Sequence, residues 1–162
     1  MEPRLENLKE KHLVGMKVIM SFTNNKTGLL WQGFMPRHKE IKNLASADLY
    51  SVEVYAPDFF RPFRPDTEFE KWAAVEVSRI ETLPDGMETI VIPSGLYAVF
   101  IHKGPASLGP KTYEYVLGTW VPNSAYTLDT RPHFAVMGEK YKNNDPKSEE
   151  ELWFPILPKD QQ

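Results

Sequence analysis

The chain contains no cysteine. A disulfide framework, a thiol nucleophile and a thiolate metal site are therefore all excluded. Histidine is scarce as well: His12, His38, His102 and His133 are the four present, and no two of them fall at the spacing of ligands on one helical turn. Neither a metal nor any other cofactor is expected. A basic surplus is missing, since 19 Lys and Arg stand against 22 Asp and Glu for a net charge of −3. Neutralising phosphates needs clustered positive charge, so direct binding of nucleic acid is not expected. No apolar run reaches the roughly 20 residues that span a bilayer. The opening "MEPRLENLKEKH" lacks the apolar centre of a signal peptide, so membrane contact is not expected and a cytoplasmic place is.

What is present is an ordinary soluble composition, 41% hydrophobic and 25% charged over 162 residues, enough for one domain with a substantial core. The charged segment 1–12 reads as helical or frayed. Residues 13–22 (LVGMKVIMSF) read as a strand, and "NNKTGLLWQGFMPRHKEI" as a capped helix with Leu30, Trp31, Phe34 and Met35 at helical spacing and an irregular end at Pro36. Strands at 49–55, 71–78 and 87–93 follow, with a Pro- and Phe-rich loop after the first. The order then recurs: a strand at 95–104, a helix at 111–122, a strand "HFAVMGEKY" and a strand at 151–157.

Laid over one another, the halves bring "VEVY" onto "FAVM" and "FEKWAAVEV" onto "EELWFPIL", with Trp72 on Trp153. This predicts an α+β fold: a single domain over 13–158 with half-repeats at about 13–93 and 94–158, each a strand-helix-strand-strand unit. The two units would form one curved antiparallel sheet with two helices on one face. Alternation along 71–78 directs Ala73, Val75 and Val77 to the helices, and Trp72, Ala74, Glu76 and Ser78 to the free face. In 49–55 the apolar Val52 and Val54 are expected against the helices, which sends Ser51, Glu53 and Tyr55 to the free face. Ala135 and Met137 are expected there too. Tyr55, Trp72, Met137 and Trp153 would wall a pocket in which Ala74 and Ala135 leave room and Glu53 and Glu76 supply negative charge. A half-exposed sheet face with solvated acids fits the same pattern. The acidic run "NNDPKSEEE" lacks the ligand spacing and central glycine of a Ca²⁺ loop and reads as a solvated loop.

The runs "GLYAVFIHKGP", "TYEYVLGTWVPNSAY" and "RPHFAVMGEKYKNNDPKSEEELWFPI", with "FEKWAAVEV" and "LPDGMETIVIP" before them, resemble the GyrI-like small-molecule-binding domain, the effector-binding domain of AraC- and MerR-type transcription regulators. The resemblance covers roughly residues 13–158. It implies a pseudo-twofold fold with a ligand pocket where the halves meet, and binding of lipophilic, planar, often cationic compounds by aromatic side chains and a buried carboxylate. Some stand-alone members of the family hydrolyse cyclopropane-bearing DNA-alkylating toxins; others bind drugs or act on DNA gyrase. About a dozen residues precede the first strand, so a free-standing pocket domain is expected, with a protein partner or a homodimer left open.

For ligand contact the candidates are Tyr97, Trp120, Tyr126, Trp72 and Trp153, together with Glu53, Tyr55, Glu76, Ala135 and Met137. Plain core packing is the competing reading, above all for Trp120. For hydrolysis, Glu76 would be the base and Tyr126 the hydroxyl donor. At one position the chain departs from the family, which commonly has Glu directly after the Phe of the "HF" pair; here that residue is Ala135. Binding protein, hydrolase, and co-regulator or gyrase-interacting module remain the three functional readings at this point.

Overall fold

Nine antiparallel strands and two helical connections make up the computed structural model, which describes residues 1–161. The strands are β1 (Arg4–Leu8), β2 (Lys11–Met20), β3 (Leu44–Val54), β4 (Phe69–Val77), β5 (Glu88–Ile92), β6 (Gly95–Lys103), β7 (Tyr126–Leu128), β8 (His133–Met137) and β9 (Glu149–Pro158). Helix α1 (Thr27–Phe34) continues into a 3₁₀ turn over Met35–Glu40 with Pro36 near its start, where the missing N–H ends regular helix. Helix α2 (Gly109–Tyr115) runs on through a π turn, Val116–Trp120, to a last turn at Val121–Asn123.

The order across the sheet is β1-β6-β9-β8-β3-β4-β2-β5, with β7 added beside β9. That order is a palindrome: β2-α1-β3-β4 on one side mirrors β6-α2-β8-β9 on the other, and β3 meets β8 at the centre. Val52 lies opposite both Trp72 and Phe134, while Phe134 lies opposite both Val52 and Trp153. The twofold therefore superposes Val52 on Phe134 and Trp72 on Trp153, the alignment read from the sequence. It also superposes Glu53 on Ala135 and Lys71 on Leu152.

Both helices cover one face. Leu30 and Phe34 of α1 pack on Val14, Ala73, Val75 and Val77, and Val116 and Val121 pack on Ala98, Phe100, Ala135, Leu152 and Phe154. The other face is a third apolar cluster that includes Tyr50, Val52, Trp72, Ala74, Tyr97, Phe134 and Trp153. Leu8 from one edge strand and Ile92 from the opposite edge strand belong to the same cluster, so the sheet curls until its edges share a core. The two tryptophans are held alike. Each indole Nε1 donates to the carboxylate two residues earlier, Glu70 or Glu151, at 3.0 Å. A cation lies 5.6 Å from each ring centroid, Lys17 over Trp72 and Arg4 over Trp153.

Four expectations change. The opening segment is neither helical nor frayed: Arg4–Leu8 pairs with β6 and covers what would be an open sheet edge. Tyr126–Leu128, which lies between the expected helix at 111–122 and the next expected strand, is itself a strand and pairs with β9. β8 stops at Met137, and the Tyr141 N–H closes a turn onto the Gly138 carbonyl at 3.0 Å. The facing of β3 and β8 is reversed. Because Val52 opposes Trp72, it shares the face away from the helices; Ser51, Glu53 and Tyr55 then belong to the helix side, as do Ala135 and Met137. The cause is the curl, which makes the far face as apolar as the helix face.

Candidate functional site

Glu53 is the centre of the helix side. It sits on β3 with Lys71 of β4 opposite on one hand and His133 of β8 on the other. Its carboxylate is almost wholly buried; Oε2 lies 3.0 Å from Lys71 Nζ, and Oε1 accepts from the Tyr113 hydroxyl at 3.4 Å. Tyr113 comes from α2, whose start is pinned to β6 by the ring of His102, 2.8 Å from Thr112 Oγ1 and 2.9 Å from the Pro105 carbonyl. Phe154 meets Tyr113 edge-on with centroids 5.3 Å apart, and His133 at 5.8 Å. Tyr55 stands edge-on to His133 at 5.0 Å and leads into the Phe-rich loop through Phe59 at 4.5 Å and Phe60 at 5.1 Å.

Ionisation in this cluster is governed by burial. It pushes the Tyr113 and Tyr55 hydroxyls well above their ordinary range, with the charge of Glu53 acting in the same direction, so both stay protonated donors. Burial also lowers His133 to about 3, which keeps the imidazole neutral. Glu150 is raised first by burial and further by Glu53, against the opposing pull of His102 and Lys71. The result is a poorly hydrated cluster that holds the Glu53 carboxylate, the Lys71 ammonium, two tyrosine hydroxyls and a neutral imidazole.

His133 makes stability pH-dependent with a defined sign. An unfolded histidine takes up a proton below about 6.5, whereas the folded one resists until about 3. Between those values the unfolded state binds more protons, so stability falls as the pH falls, by at most roughly 1.4 kcal/mol per pH unit. Denaturant melts between pH 7 and pH 4 should show this slope, and His133→Phe should flatten it. An undiminished slope in that variant would assign the effect to another group.

The candidates named from sequence divide between the faces. Glu53, Tyr55 and Ala135 come together on the helix side around the central β3–β8 pair, and Met137 shares that side one pair further along. Trp120 and Tyr126 are also on that side, stacked at 6.3 Å beside α2, with Trp120 edge-on to Phe100 at 5.4 Å. Trp72, Tyr97 and Trp153 are built into the far-face core, where the Tyr97 hydroxyl donates to the Pro132 carbonyl at 2.9 Å. Glu76 belongs to the far face too, 3.3 Å from Lys11 Nζ and accepting from Tyr50 at 3.4 Å. Glu76 and Tyr126 are thus separated by the sheet. The sequence reading did not single out Lys71, Tyr113, His133, Phe154 or Glu150. Tyr113 had a signal, since Thr112, Tyr113 and Val116 form the inward stripe of α2 at helical spacing.

The GyrI-like small molecule binding domain matches residues 1–157 of this chain. The chain belongs to the GyrI-like family. It is 27% identical over 145 residues to the transcriptional regulator BrlR of Pseudomonas aeruginosa, a match that takes in 89% of this chain and 51% of BrlR, so the chain spans about half the length of that relative. Among solved structures, SAV2435 bound to tetraphenylphosphonium is similar with a TM-score of 0.73 at 18% identity, over 97% of this chain and 94% of the other. The C-terminal domain of EcmrR is similar with a TM-score of 0.72 at 15% identity, over 97% and 98%. A hydrolase encoded by lin2189 of Listeria innocua reaches a TM-score of 0.59 at 12% identity, over 96% and 92%. At these identities the structural likenesses speak for the fold. Among the described residues, no helix of this GyrI-like chain is long and apolar enough to cross a membrane.

Proposed function

We propose that this GyrI-like protein binds lipophilic, planar aromatic compounds, cations among them, on the helix side of the sheet, at Glu53. One observation carries the reading: a buried carboxylate lies among the rings of Tyr55, Tyr113, His133 and Phe154 at the seam between the half-repeats. Ring faces attract positive charge, and each such contact contributes about 0.5–2 kcal/mol. Three of them supply about 1.5–6 kcal/mol of the roughly 8 kcal/mol that micromolar affinity requires, and the carboxylate and burial of the ligand's apolar surface add the rest. That SAV2435, which has this fold, is bound to tetraphenylphosphonium, a tetrahedral aromatic cation, supports the lipophilic cationic part of this ligand class.

The test is calorimetric titration with tetraphenylphosphonium and with the neutral planar dye Nile red. Glu53→Gln should weaken tetraphenylphosphonium by about tenfold or more, equivalent to about 1.4 kcal/mol, and change Nile red much less. Equal affinity for the cation in both proteins would remove Glu53 from the site.

A further inference from the structure

The pseudo-twofold axis relates positions that differ sharply in chemistry. The first half sets Glu53 opposite Lys71; the second sets Ala135 opposite Leu152. An ion pair therefore underlies one side of the seam and an apolar pair the other. The ion pair is not a surface contact, because the Lys71 and Glu53 side chains are only 15% and 5% exposed at an Nζ–Oε2 distance of 3.0 Å. Where both charges are this dry, each depends on the other, and removal of one leaves its partner uncompensated.

We propose that Lys71 is the resident occupant of the cation seat at Glu53 and so the residue that sets the charge of the ligand. As built, the site is charge-compensated and favours neutral aromatic ligands. A cationic ligand enters by displacing the Lys71 ammonium from Glu53, and until it does so it meets a like charge among side chains with little water to screen it. A neutral ligand makes no such demand; its rings pack on Phe154, Tyr113 and Ala135. This inference rests on the ligand-binding reading above and adds the determinant of its selectivity.

The experiment compares tetraphenylphosphonium and Nile red on the wild-type protein, Lys71→Met, Lys71→Arg and the double variant Glu53→Gln/Lys71→Met. Methionine keeps most of the aliphatic stem and removes the charge. Lys71→Met should bind tetraphenylphosphonium at least about tenfold tighter and Nile red within about threefold of wild type. Lys71→Arg should stay near wild type, and the double variant should lose the gain. If Lys71→Met binds tetraphenylphosphonium no better than wild type while Nile red still binds, the competitor role is overturned and the ligand-binding reading stands. If neither probe binds any of the proteins, the ligand-binding reading fails and takes this one with it. A measurement on the unaltered protein gives a second check, independent of how the variants fold. The Lys71 Nζ resonance should shift on saturation with tetraphenylphosphonium and not with Nile red, and a resonance unmoved by bound tetraphenylphosphonium contradicts displacement.

Discussion

Ala135→Glu is expected to give a protein whose stability falls as the pH rises and is restored by a lipophilic cation. Position 135 is buried between Ser51 and Leu152 on the helix side, and the residue opposite it on β9 is a leucine where the twofold-related position on β4 carries Lys71. A carboxyl group placed there has no resident ammonium. Burial raises its folded-state pKa, and the charge of Glu53 raises it further. Below about 4.3 the new acid is neutral in both folded and unfolded states and costs nothing through ionisation. Above that value the unfolded state ionises first, so the penalty grows with pH until the folded pKa is reached, amounting to about 3 kcal/mol. Ala135→Gln has the same bulk without the charge and should show the steric loss alone, level across pH. Urea melts of both variants at pH 4 and pH 7.5, with and without tetraphenylphosphonium, separate the contributions. A flat pH response in Ala135→Glu would mean that water reaches position 135.

The other large effect belongs to the curl of the sheet. Gly15 is buried in β2 directly opposite Ala74, with β5 on its other side at Glu88. A Cβ at position 15 would run into the Ala73 carbonyl oxygen and come within 2.7 Å of Ala74 Cα and 2.8 Å of its Cβ. These are backbone atoms and a rigid methyl group, which cannot swing aside. Small residues on both strands are what lets the sheet bend tightly enough for its two edges to share one core. Gly15→Val should cost more than about 3 kcal/mol, which for a chain of this size is a fall in Tm of roughly 6–12 °C or outright failure to fold. Thermal melts followed by circular dichroism would show it, and a wild-type melting curve would mean that the two strands can separate freely at this point.

How far the sequence disclosed the site depends on the strand. β4 was readable because its faces differ: Ala73, Val75 and Val77 are uniformly small and apolar, whereas Trp72 and Glu76 are not. β3 offers Val52 and Val54 on one side and Ser51, Glu53 and Tyr55 on the other. The rule that apolar residues face the helices then chose the wrong side, because a curled sheet has two apolar faces and the register that links Val52 to Trp72 is absent from the strand's own alternation. The same rule carried Ala135 to the wrong side with Glu53. That the two share a face was legible, and so was their equivalence under the repeat, which sets Glu53 on the position where the family commonly has its acid. In this chain the buried acid of the seam therefore stands on the first half-repeat. Lys71 was hidden for a plain reason: one lysine in an alternating strand looks solvated, and only pairing with β3 shows what it faces.

The most direct test of the account is a crystal structure of the wild-type protein with tetraphenylphosphonium. The account predicts density for the ligand on the helix side, between α1 and α2, with phenyl groups against Tyr113, Phe154 and Ala135, phosphorus toward Glu53, and the Lys71 ammonium drawn away from that carboxylate. Ligand density on the opposite face, among Trp72, Trp153 and Glu76, with the Lys71–Glu53 contact intact, would contradict it.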